Sequence, residues 1–226
     1  MYDMFFVSYE EEQADSNWQL IKYKFPHAKR IHGIKGIQHA HKACALKSFT
    51  KMFWTIDGDT QTIDGWDFSF IPPEWDKDYI HIWHSKNPIN DLEYGYGGIK
   101  LWPTKKVLTY NENWLDFTTS VSDIKIIPIS ISSTMFNSSE YSTWKSSFRE
   151  CVKLCTNIDM NNDDSESKYR LEVWCNKTNG NEFSDWCIKG ANDAKKWYNQ
   201  NKENLTVIND FDELKKLFNT LNVKLT

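Results

Sequence analysis

MFWTIDGDT, residues 52–60, is the stretch whose reading decides the fold. Its first five residues carry no charge and do not alternate with polar ones, as expected of a strand buried on both faces of a parallel sheet. Asp57 and Asp59 follow at once around a glycine, so two carboxylates are presented where the strand leaves the core. Working outward toward the N-terminus, QHAHKACALKSF (38–49) is rich in helix formers, and 28–34 reads as a short strand. NWQLIKYKF carries Trp18, Ile21 and Phe25 at helical spacing, with Ser16 placed to cap it. DMFFVSY (3–9) is a second uninterrupted apolar strand. Strand, helix, strand, helix, strand predicts a Rossmann-type sheet whose ligands lie beyond the carboxyl ends of the strands. Tyr9 and Asp57 both fall at that edge.

After Asp59 the chain becomes aromatic and proline-punctuated, at Pro72-Pro73, Pro88 and Pro103. Strand-like runs occupy 79–84, 99–102, 106–110 and 124–132, with Pro128 pointing to an edge or a bulge. A helix is expected over 142–154, a polar surface loop over 157–168, and an amphipathic helix over 210–221. The fold predicted is therefore α/β, a Rossmann-type mixed sheet flanked by helices. One domain would cover 1–205, with 206–226 a C-terminal helical extension packed on it.

At 226 residues the chain suits one domain with a full α/β core. Its 11 Trp, 10 Tyr and 13 Phe suit a core and also platforms on which sugars or bases stack. A net charge of −4 gives no global attraction to nucleic acid, so such a partner needs a local basic surface. No apolar run is long enough to span a bilayer, and Met1-Tyr2-Asp3 lacks the basic start of a signal peptide, which together predict a cytoplasmic protein without a membrane partner. Five cysteines without a C-x-x-C pair fit reduced thiols. No P-loop, G-x-G-x-x-G or G-x-S-x-G motif is present.

Asp57-Gly58-Asp59 supplies the chemistry hard divalent cations prefer, since Mg²⁺ or Mn²⁺ commonly bridges one or two carboxylates to substrate phosphates. The plainer reading is an acidic surface turn. Tyr94-Gly95-Tyr96-Gly97-Gly98 is an aromatic-glycine loop suited to closing over a sugar or stacking a base, or else a glycine-rich hairpin. Arg149 and Lys153 lie one helical turn apart, a pair that suits phosphate or simply a solvated face. Lys189 sits where a helix is expected to begin, near enough to meet a phosphate. The six histidines form no metal cluster.

Taken together, FVSYEE, QHAHKACALKSF, MFWTIDGD, YGYGGIKLWP, SFRECVKL and WCIKGANDA resemble the phage DNA glycosyltransferases called TET-associated glycosyltransferases, over about residues 1–200. The resemblance implies a GT-A fold, a UDP-sugar donor, and Mn²⁺ or Mg²⁺ held through Asp57 and Asp59. It implies as acceptor a 5-hydroxymethylpyrimidine, typically 5-hydroxymethylcytosine, in double-stranded phage DNA, and hence work in the host cytoplasm. By analogy with GT-A donor sites, Val7, Ser8 and Tyr9 would hold the nucleoside, and Lys35, His41 and Lys42 the ribose or diphosphate, with Lys189 on a phosphate. Tyr94, Tyr96 and Trp102 would stack on the acceptor, with Gly97, Gly98 and Lys100 beside them.

The YGYGG loop is also similar to that of β-galactosyltransferases, which leads into an acidic cluster holding their base; here Ile99-Lys100 follows instead. Asp91, Glu93 or Glu150 would then have to supply a base, with Arg149 as a catalytic cation, or the enzyme retains configuration, the outcome favoured here. No histidine follows His84 to complete a metal shell, which leaves Asp185 or water. Two further readings keep other chemistry open: a GT-A transferase with a glycan, protein or lipid acceptor, and a Mg²⁺-dependent phosphohydrolase drawing on Asp163-Asp164.

Overall fold

The computed structural model describes residues 1–95, 97–111, 115–161 and 164–222. They form two compact units, one of Met1–Asn87 with Glu93–Met135 and one of Pro88–Leu92 with Phe136–Thr226.

The first unit holds the whole sheet. Its elements are β1 (Asp3–Ser8), α1 (Ala14–Lys24), β2 (Lys29–His32), α2 (Ile37–Lys47), β3 (Met52–Asp57), β4 (Thr60–Thr62), β5 (Ile80–Lys86), β6 (Glu93–Tyr94), β7 (Ile99–Pro103), α3 (Thr104–Thr109), α4 (Phe117–Val121) and β8 (Ile124–Thr134). The strand order is β2-β1-β3-β7-β5-β8-β4, with β6 added on β5. β2, β1 and β3 run parallel, β7 is antiparallel to β3 and to β5, and β8 is parallel to β5.

β3 is central, and Met52 to Ile56 are buried, as its unbroken apolar run requires. Because side chains alternate across a strand, it serves two cores. Met52, Trp54 and Ile56 pack with Met4, Phe6, Leu101 and Trp83 on the face covered by Ile21 of α1. Phe53 packs with Phe5, Ile82, Trp102 and Phe117 on the face covered by Cys44 and Ala45 of α2. Trp54 meets Trp83 at 4.8 Å and Phe68 at 5.1 Å between ring centres. The largest buried side chains are aromatic, Trp54, Trp83 and Trp102 among them.

The second unit is helical: α5 (Glu140–Met160), α6 (Ser165–Asn176), α7 (Ser184–Gln200) and α8 (Phe211–Leu221), with a 3₁₀ turn over Leu205–Asn209. Trp144 and Phe148 of α5 stack at 4.6 Å, and Asp210 caps α8 by accepting from the backbone N–H groups of Asp212 and Glu213. The chain is therefore a mixed α/β protein with a central mixed sheet and C-terminal helices. Among the described residues, no helix is long and apolar enough to cross a membrane.

Several local expectations are corrected. Residues 106–110, expected as a strand, lie largely in α3, where the helix covers β7 instead of extending the sheet. Helix α1 begins at Ala14, and Ser16 donates to the Gln13 carbonyl from inside the first turn and does not cap it. The acidic 157–168 segment is not one loop: α5 runs on to Met160 and α6 starts at Ser165, capped by Asp164. Pro128 does mark a bulge, since β8 passes from Ile127 to Ser130 while β5 passes from Trp83 to His84.

Asp3 ties the start of β1 to the turn before β3, accepting from Phe49 N at 2.7 Å and Lys29 Nζ at 3.1 Å. Burial opposes ionisation of this carboxyl, but the Phe49 N–H and the Lys29 ammonium outweigh it and hold its pKa below the usual value. Its stabilisation is present above the unfolded carboxylate pKa of about 3.9 and is lost as pH falls through the lower folded value. Asp3→Asn is expected to cost about 2 kcal/mol in urea denaturation at pH 7, with the gap to wild type closing at strongly acidic pH.

Candidate functional site

Strand β3 ends on Asp57, which pairs in register with Val7 of β1 on one side. On the other side its N–H donates to the Gly98 carbonyl at 2.9 Å. The turn that follows is held from two directions. Asn17 of α1, itself buried, donates to the Gly58 carbonyl at 2.9 Å, and Met135 N donates to the Asp59 carbonyl at 2.7 Å. Asp57 and Asp59 are both partly exposed at the carboxyl edge of the sheet.

Close packing at this edge requires a glycine at position 98. A Cβ there would lie 2.1 Å from Thr60 Oγ1 and 2.7 Å from Asp57 Cβ, so no side chain fits beside the Asp57 carboxylate. Thr60 Oγ1 is buried and has no hydrogen-bond partner among the described residues. Gly58 is as tightly placed, since a Cβ there would meet Glu11 Oε2 at 2.7 Å. Two carboxylate donors near the unpartnered Thr60 hydroxyl are the oxygen chemistry that a hard cation takes. Among the described residues, however, no group of three or more His, Cys, Asp or Glu side chains converges on such an ion.

Lys100 is the side chain that sequence reasoning placed wrongly. It lies opposite Thr55 in the β3–β7 register and so shares the face of Asp57. Its ammonium sits 3.8 Å from Asp57 Oδ2 and donates to the Gly97 carbonyl at 2.7 Å. The signal was available: a lysine within the otherwise apolar IKLW of a central strand needs a buried partner. Trp102, expected to stack on an acceptor, is fully buried and donates from Nε1 to Thr55 Oγ1 at 2.8 Å. Tyr94 is also buried, with 3% of its surface exposed, so neither ring offers a face to a base. Tyr96 lies outside the described residues.

The donor-side residues divide in the same way. Ser8 is buried; its hydroxyl accepts from Arg30 Nε at 3.0 Å and lies 3.0 Å from His32 Nδ1. That tie between β1 and β2 leaves Val7 and Tyr9, both half-buried, as the exposed parts of the strand end. Tyr9 N donates to Glu11 Oε2 at 2.7 Å. Lys35 is exposed just before α2, and Lys42 reaches Asn111 Oδ1 at 3.1 Å.

His41 belongs to the core and touches no solvent: its ring meets Trp102 at 4.6 Å and Phe117 at 5.3 Å, with Nδ1 2.8 Å from the Ile37 carbonyl. Burial pushes its pKa down to about 3, helped by the nearby Lys100 charge and only partly offset by the Ile37 contact. The ring is neutral and unavailable to a ribose or phosphate.

Four candidates fall in the second unit. Asp91 is exposed in a left-handed conformation (φ 59°). Arg149 is committed to structure, donating from Nε to the Ile208 carbonyl at 2.8 Å and from Nη2 to Asn209 Oδ1 at 3.3 Å. Lys189 lies inside α7, not at its start, and pairs with Asp193 Oδ2 at 2.9 Å; the same carboxylate accepts from Trp144 Nε1. Glu150 is half-buried on α5. In the first unit, Glu93 is exposed on β6 and accepts from Ser130 Oγ. Asp164 is a helix cap and Asp163 lies outside the described residues, so the acidic pair wanted by a phosphohydrolase finds no support. All five cysteines are buried free thiols.

No family model and no curated protein matches the chain. Among solved structures it is similar to HddC from Yersinia pseudotuberculosis, at 16% identity, over 55% of this chain and 69% of that one, with a TM-score of 0.35. A likeness this slight brings none of that protein's properties to this chain.

Gly98→Ala is expected to lower stability by about 2 kcal/mol, read as a fall in Tm, because the added methyl meets Thr60 and the Asp57 main stem. His41 predicts a pH effect. The unfolded imidazole takes up a proton near pH 6.5 while the folded one does not until about pH 3, so stability falls as pH drops through that window. His41→Leu should flatten this limb in denaturation curves measured between pH 7 and pH 4.

Proposed function

We propose that this chain is a metal-dependent glycosyltransferase that moves a sugar from a UDP-sugar to 5-hydroxymethylcytosine, or a related hydroxymethylpyrimidine, in double-stranded DNA. The donor half rests on one observation: Asp57 and Asp59 emerge together, both partly exposed, at the carboxyl end of a doubly buried strand. Ligands of open α/β sheets bind at that edge. The acceptor half is supported by the motif resemblance of the sequence.

Asp57 and Asp59 would hold Mn²⁺ or Mg²⁺, which when bound neutralises the charge of the departing diphosphate. The half-buried Val7 and Tyr9 would receive the nucleoside, and Lys35, exposed before α2, would meet the phosphates. In the transfer, the bond from the anomeric carbon to the diphosphate breaks, a bond to the acceptor hydroxyl oxygen forms, and the hydroxyl proton leaves. Glu93, an exposed carboxylate of the same unit, would be the base if configuration inverts; retention needs none in that role. The hydroxymethyl group of a stacked base must be swung out of the duplex to react.

A second reading is favoured by the net charge of −4, which draws no polyanion: the same donor chemistry with a glycan, protein or lipid acceptor. Incubation of the protein with UDP-sugars, Mn²⁺ and either hydroxymethylated or unmodified duplex separates the two. A mass gain of one hexose or N-acetylhexosamine confined to hydroxymethylated DNA is expected, and UDP release without any gain on DNA would move the acceptor elsewhere. Asp57→Ala is expected to lower transfer at least a hundredfold and to remove Mn²⁺-dependent UDP binding.

A further inference from the structure

The charge of this chain is unevenly spread. From Ser16 to Ile56 there is no Asp or Glu against eight Lys and Arg, and residues 94–111 hold three lysines and no acid, within a chain whose net charge is −4. The fold brings the two stretches together. Helices α2 and α3 pack against each other over one face of the sheet, burying Cys44, Ala45 and Val107 there, and neither helix contains a carboxylate. Elsewhere in the first stretch the cations are largely neutralised, Lys24 by Asp64, Lys29 by Asp3, Arg30 by Asp15 and Lys51 by Glu74. On α2 and α3 they are not: Lys42, Lys47, Lys105 and Lys106 form no ion pair among the described residues. Lys47, Lys105 and Lys106 are exposed, and Lys42 donates to Asn111 Oδ1, just past the end of α3. Of the acids that follow α3 in the chain, Asp116 caps α4 and Glu112 lies outside the described residues.

We infer that the α2–α3 layer is the surface on which the protein seats the phosphate backbone of duplex DNA. The inference rests on the acceptor half of the reading above and deepens it. A protein of negative net charge holds a polyanion only through a local basic surface, and this layer is one without acids to oppose it. Helix α2 leads from the carboxyl edge of the sheet, where β2 ends, to the amino edge, where β3 begins, so the row of cations starts at the edge that carries Asp57. Its 11 residues span about 16 Å, the rise of roughly five base pairs, which is room for each of the four lysines to meet a phosphate. Contacts of this kind fix where the duplex lies without reading its sequence. Leu46 and Phe49, next to Lys47 in the chain, are also exposed, which makes an anionic lipid surface the competing occupant.

The test is fluorescence anisotropy of a labelled hydroxymethylated duplex titrated with the full chain over a range of NaCl concentrations. The proteins compared are wild type, Lys47→Ala, Lys105→Ala and Lys106→Ala singly and combined, and the triple arginine variant. Calorimetric titration with UDP and sedimentation with phosphatidylserine vesicles accompany it. For wild type, the logarithm of affinity is expected to fall against that of salt with a slope of about −3 to −4. Each alanine is expected to reduce the slope by about 1, and the triple alanine variant to bind at least about tenfold more weakly, on unmodified duplex as on hydroxymethylated. The triple arginine variant keeps wild-type affinity, and UDP binding is unchanged throughout. A triple alanine variant with wild-type affinity and slope would overturn the surface while leaving DNA as the acceptor. Wild type that binds no duplex even at low salt would overturn both this surface and the acceptor half of the proposed function. Lysine-dependent binding to vesicles in the absence of any duplex binding would overturn it in favour of a lipid surface.

Discussion

The burial of β3 on both faces is the constraint from which the rest of the first unit follows. A strand with no solvent side carries a charge only at a cost unless a partner is built beside it, and in β3 the first acids after Met52 to Ile56 fall at the sheet's carboxyl edge. Its two neighbours then set the geometry of that edge. Parallel pairing with β1 brings Val7 level with Asp57, and antiparallel pairing with β7 brings Gly98 against the Asp57 backbone. A site built on strand ends is stiffer than one built on loops alone, because its backbone is fixed by the ladder.

Charge on the α2-covered face of the sheet is rationed. Lys100 is balanced by Asp57, His41 is kept neutral, and the hydroxyl of Thr55 is taken up by Trp102. Each polar group there is tied to a neighbour that fixes its position, apart from His41 Nε2, which is buried without a partner among the described residues. An unmatched acceptor in the core is the kind of local cost that a neutral imidazole bears more cheaply than a charged one. Rings that look like stacking platforms in sequence, Tyr94 and Trp102, are both interior, and Trp102 fills the core between the sheet and α2.

The second unit uses its charged residues to fasten helices. Arg149 ties α5 to the turn over Leu205–Asn209, and Asp193 gathers Lys189 and the Trp144 indole. Basic residues at helical spacing read equally well as phosphate ligands or as such fasteners, and sequence spacing alone does not distinguish them.

The sequence by itself determined the alternation of strands and helices from Asp3 to Asp57, because buried strands and amphipathic helices have different periods and the first five elements express them cleanly. It also located the paired acids, since a charge directly after an unbroken apolar run marks the strand's exit. Tertiary structure alone decided what faces those acids. Segment 106–110 has strand-like composition but folds as α3, because it packs over the sheet. Lys100 is more than forty positions from Asp57 in the chain, and only the antiparallel register of β7 on β3 sets its ammonium beside that carboxylate. The burial of His41 depends likewise on Trp102 and Phe117 closing over α2. Local periodicity fixes which way a side chain points from its own strand or helix; which distant charge it meets depends on strand order and register, and these are set by the packing of the whole sheet.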